Sequence, residues 1–168
     1  MFDDEYGNKL STNSRDAVDL YNKGTHQFLG AEPGVEDSFR SAINADPEFA
    51  LAHIGYAREM QLRGRSTEMR QALKRAIKYA GNLSEREQSH LNVSSLLLSG
   101  KSARARLAVY EHARRWPRDV LIAQMCTSVF GLIGFSGLPG REAEQLAFIS
   151  NLATHYGENW WYKAQLAF

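Results

Sequence analysis

Residues 86–90 read Arg-Glu-Gln-Ser-His, which sets a carboxylate and an imidazole three positions apart. A zinc-hydrolase helix needs two histidines four residues apart, with a glutamate base beside the first. Arg86 stands where the first histidine would be, so the ligand set is incomplete. Glu87 is then better read as the partner of Ser84 in a capping box, and His90 as a helix-face residue in a contact between helices.

The remaining reactive side chains are scattered. Histidines occur at 26, 53, 90, 112 and 155, each on a different segment. His53 and His90 converge on one groove if their helices lie side by side, but no third ligand accompanies them. Cys126 sits in the apolar string "AQMCTSVF" with no base identifiable beside it, so it reads as a small buried hydrophobe. Glycines at 131, 134, 137 and 140 do not have the phosphate-cradling spacing, and no strand precedes them. They are expected to end a helix, turn its loop and permit close helix contact. No catalytic residue, metal site or cofactor is expected.

The elements that position these residues follow from pattern and punctuation. The chain has 168 residues, 43% of them hydrophobic, which is enough for one domain with a real core. Twenty Lys and Arg against nineteen Asp and Glu leave +1, so no overall field favours nucleic acid or a membrane surface. The charge is unevenly spread: residues 1–48 carry ten acidic and four basic side chains, residues 49–118 five and fourteen. The basic residues lack interleaved aromatic platforms, so they read as solvated helix faces and no RNA partner is expected. One cysteine excludes an internal disulfide and suits a reducing compartment. The acidic start "MFDDEYGNKL" is no signal peptide, and Val129 to Phe135 is too short to span a bilayer. A soluble cytoplasmic protein is expected.

Helical periodicity runs almost throughout, and strand signals are missing. Thr12 and Ser14 are N-cap candidates for a first helix over Arg15 to Leu29, which "GAEPG" breaks. A second runs from Val35 to about Ala45, with Val35, Phe39, Ala42 and Ile43 on one stripe. Asp46-Pro47 ends it, and the same pair is expected to cap and start the third. Leu51, Ile54 and Ala57 share a face of that helix, with Gly55 where a neighbouring backbone comes close. Ser66 is expected to cap a fourth helix, and Ser84 with Glu87 a fifth. A sixth covers about Ser102 to Trp116, and a seventh, eighth and ninth begin near Asp119, Gly140 and Asn159.

Pro47 and Pro117 lie 70 residues apart, two steps of 35. In "LAHIGYA" Leu51, Ile54 and Gly55, and in "FRSAINADP" Phe39, Ala42 and Pro47, stand at tetratricopeptide-repeat spacing. Tyr110 and Ala113 repeat the Phe39–Ala42 interval, with Pro117 one residue early. Longer strings occur in order: "LSTNS" at 10–14, "DPEFALAH" at 46–53, Arg86, Glu87 and His90, "SGKSARA" at 99–105 and "WPRD" at 116–119. Together they resemble the N-terminal part of the tetratricopeptide repeat protein 38 family over nearly the whole chain. Members of that family are longer and have no established activity, and "YKAQLAF" resembles the start of a further repeat helix. The resemblance implies one domain over residues 1–168, part of a longer protein: an all-α, right-handed superhelix of about four antiparallel helix pairs.

The expected function is a non-catalytic scaffold or adaptor that holds a protein or peptide in a concave groove. Helices one, three, five and seven would line it with Asn22, His53, Tyr56, Arg86 and His90. The rival is an enzyme or a small-molecule or metal-binding domain with part of its site in a missing C-terminal region, in which Glu87, His90 and Cys126 would act. Trp116 is expected at a repeat junction. Trp160, Trp161 and Phe168 mark an aromatic end where one tryptophan and Phe168 face water and support self-association.

Overall fold

A computed structural model describes residues 1–167 and shows an almost wholly helical chain. It divides into two compact units, Met1–Ser99 and the residues from Gly100 onward. Phe168 lies outside the described residues.

The first unit opens with a hairpin that no strand signal in the sequence announces. Two short strands, β1 (Phe2–Asp3) and β2 (Lys9–Leu10), pair antiparallel with Phe2 opposite Leu10. The Asp4 carboxylate closes the turn by accepting from the backbone of Tyr6 at 2.9 Å and of Asn8 at 2.8 Å. Gly7 supplies the positive φ of +80°. Two residues per strand are too few to show an alternation, which is why no strand was expected.

Helix α1 (Arg15–Leu29) has the expected bounds, with the Ser14 hydroxyl accepting from the amide of Ala17. Helix α2 (Val35–Ala45) also matches; it starts at Gly34, whose φ is +95°, and carries Glu36 and Asp37 at its positive end. Helix α3 (Ala50–Leu62) starts later than expected, and Asp46 does not cap it. Instead the Asp46 carboxylate accepts from the amide of Glu48 and from the Thr12 hydroxyl, so residues 46–49 form a separate turn. Helix α4 (Ser66–Lys78) includes Ser66 as its first residue, and no side chain caps it. Arg65 organises that start by bridging Glu68 and Glu36. After a short 3-10 turn, α5 (Glu85–Leu98) begins with the expected Ser84–Glu87 capping box.

Helix α1 packs on α2, α3 on α4, and α2 on α3. Phe39 of α2 is wholly buried against glycines of two other helices. A Cβ on Gly24 would lie 3.0 Å from its ring, and one on Gly55 only 2.5 Å. Gly55 is thus small to admit the Phe39 ring, where a neighbouring backbone was expected. Tyr21 rests on Phe39 and Phe49, with centroids 5.8 and 5.2 Å away, which fastens α1 to the same cluster. Burying one such phenylalanine contributes about 2 kcal/mol.

The second unit holds α6 (Ser102–Arg115), α7 (Val120–Thr127), α8 (Arg141–Tyr156) and α9 (Trp160–Ala167). Successive helices pack on one another. The Thr127 hydroxyl donates to Gln165 at 2.8 Å, and the Gln145 amide donates to the Thr127 carbonyl at 2.8 Å, so the end of α7 is tied to both later helices. Trp161 is fully buried, lies tilted against Tyr156 with ring centroids 4.9 Å apart, and donates its indole N–H to Gln124. Trp160 is exposed. The glycine-rich loop after α7 requires glycine: a Cβ on Gly131 would meet the Met125 carbonyl at 2.7 Å, and one on Gly134 the Val129 carbonyl at 2.0 Å. Trp116 is partly buried in this unit, near His112 and beneath the Arg115 guanidinium. Among the described residues no helix is long and apolar enough to cross a membrane.

Candidate partner-binding site

The five residues nominated from sequence fall in two places in the first unit, apart from His90, which is buried within α5. Asn22 and Arg86 meet the N-terminal segment, whereas His53 and Tyr56 line a cleft walled by α2 and α4.

The contact with the N-terminal segment is built from two consecutive residues of α5. The Arg86 guanidinium donates to the carbonyl of Lys9 at 2.9 Å. The Glu87 carboxylate accepts the backbone N–H of Ser11 at 2.7 Å, and also the Ser11 hydroxyl. In an extended chain the carbonyl of one residue and the N–H two residues on lie along the same edge. Arg86 and Glu87 therefore satisfy one edge of the Lys9–Ser11 backbone, as a neighbouring strand would. Between them Leu10 is fully buried, with Tyr6 at 3% and Thr12 at 4% exposure. Asn22 completes the hold from α1, its side-chain oxygen accepting from the amide of Glu5 at 3.1 Å.

Glu87 is wholly buried and also accepts the N–H and hydroxyl of Ser84, at 3.0 and 2.7 Å. Four donors converge on one carboxyl group, which satisfies its oxygens without exposure to water. The capping box was legible in the sequence, but the long-range half of this cluster was not. Ser11 lies 76 residues away, and no local spacing announces it.

The second place is a cleft of about 250 Å³ lined by Arg40, Asn44, His53, Tyr56, Gln71 and Arg75 among others. His53 is 2% exposed. Its Nε2 lies 2.9 Å from the carbonyl of Pro47, so that nitrogen carries the proton, and its ring stacks on Tyr79. Burial lowers its pKa below the ordinary histidine value, helped by Arg75 and opposed by the Pro47 carbonyl and Asp46. A larger open cleft of about 770 Å³ runs along Ser11, Thr12 and Ser14, reaching Asp46, Lys78 and Tyr79.

The groups nominated for an enzymatic role are differently placed. Glu87 is fully engaged by its four donors, and burial pushes the Cys126 thiol up to about 12, with Glu144 adding to the rise and Arg106 opposing it. No three His, Cys, Asp or Glu side chains among the described residues are grouped to hold a metal ion. Several of the basic residues are paired: Arg63 with Glu59, Arg65 with Glu36 and Glu68, and Arg106 with Glu144.

No protein-family model, curated protein or solved structure matches the chain.

Proposed function

We propose that this chain is a tetratricopeptide-like helical repeat module, similar to the N-terminal part of the tetratricopeptide repeat protein 38 family, that holds extended protein segments without catalysing a reaction. The repeat reading is supported by the packing of successive helices within each unit and by one large ring seated against glycines of two other helices. The single observation that carries the binding function is the pairing of Arg86 and Glu87 with the backbone of an extended segment. Contacts to backbone atoms suit many sequences and leave side-chain pockets to choose among them.

Panning a random peptide display library against the full chain, and against a Leu10→Ala chain with a loosened N-terminal segment, tests this reading. Enrichment of peptides on either chain, lost on Arg86→Ala, supports it. No enrichment on either overturns it.

A further inference from the structure

We propose that residues 2–12 are a resident occupant of the α5 site, an arm that a partner with a similar extended segment displaces. The proposal rests on the peptide-binding reading above and names the partner class: a segment with a buried aliphatic residue followed by serine or threonine, as in the arm's own Leu10-Ser11-Thr12. The recognition chemistry is already arranged. Arg86 takes a carbonyl, Glu87 takes the N–H and hydroxyl two residues on, and the side chain between them is fully buried.

Two observations favour an occupant over a permanent part of the core. As a strand the arm pairs with itself in a two-residue hairpin, and contacts with α1, α5 and Asp46 hold it in place. An isolated hairpin of that size does not stand alone. The open cleft beside residues 11–14 also gives an incoming segment a place to begin pairing before the arm leaves. Because the arm is tethered, it competes at an effective concentration of about 1 mM, and a free segment binds weakly until the arm is loosened.

The test uses the full chain and a fluorescent peptide of residues 5–13, Glu-Tyr-Gly-Asn-Lys-Leu-Ser-Thr-Asn, followed by anisotropy. A Leu10→Ala, Ser11→Gly chain should bind it at least about tenfold more tightly than wild type. A scrambled peptide should not bind, and adding Arg86→Ala should abolish the gain. Equal binding by wild type and the loosened chain, or none by either, overturns the proposal. Library peptides that enrich equally on both chains leave the binding function standing and remove the arm as its competitor. Should the double variant not fold, hydrogen exchange on wild type decides. Amides of residues 9–11 exchanging at least about tenfold faster than those of residues 91–97 support a releasable arm, and exchange of both sets together overturns it.

Discussion

Gly55 and the Phe39 ring are so closely apposed that a Cβ on Gly55 would lie 2.5 Å from Cε1 of Phe39. Gly24 also lies against this ring, where the corresponding distance is 3.0 Å to Cδ1, and the ring is wholly buried. Replacing a mid-helix glycine by alanine ordinarily stabilises by about 1 kcal/mol. Here overpacking wins, and Gly55→Ala should destabilise by about 2 kcal/mol. Gly81→Ala, where nothing lies within 4 Å, should stay within about 0.5 kcal/mol of wild type. Urea unfolding of both, and of Gly55→Ala combined with Phe39→Leu, checks the claim. The smaller side chain should recover most of the loss.

Glu87→Gln keeps the size of the side chain and one accepting oxygen, but turns an N–H₂ toward a backbone N–H, that of Ser11 or that of Ser84, which the replaced oxygen accepts. Leaving buried donors unpaired should cost about 2 kcal/mol. The N-terminal segment should loosen with it, so brief native-state trypsin treatment should cut after Lys9 in the variant before the wild type is touched. Unchanged cleavage would assign Glu87 to the helix cap alone.

His53 makes stability depend on pH in a defined direction. Its folded pKa lies below the reference of 6.5, so the unfolded chain takes up the proton first. Stability is therefore complete above about pH 6.5 and falls as the pH drops toward the folded value. His53→Gln should flatten the change in urea midpoint between about pH 7.5 and pH 5. A slope unaltered by the substitution would place the dependence elsewhere.

Cys126 should resist thiol reagents while the chain is folded. Its pKa is raised from 9.0 to about 12, so at pH 8 its thiolate fraction is about a thousandfold lower than in the unfolded chain. Ellman's reagent should react in denaturant and scarcely react without it. Rapid labelling of the native chain would mean that the second unit opens readily.

Much of the helical framework was legible because its signals are local. The bounds of α1 and α2 follow from Ser14, Pro33 and Gly34, and the start of α5 from Ser84 and Glu87. Asp46 and Ser66 misled, since each is a good cap by type, but the Asp46 carboxylate is engaged by Thr12 and Glu48, and Ser66 lies inside its helix. His53 and Tyr56 stand near each other because they are three residues apart on one helix. Their cleft is closed by α2 and α4, whose arrival depends on packing. The role of Arg86 was invisible for a related reason: a carbonyl 77 residues away has no side-chain signature.

The 76-residue span between Ser11 and Glu87 also orders events during synthesis. The arm leaves the ribosome long before α5 exists, and with its docking surface still unmade it has nothing to close on. At about 5–20 residues per second, that interval lasts several seconds. Throughout it the nascent chain displays Leu10 unprotected, which makes those seconds the time when a chaperone, or another chain, has its best access to the arm.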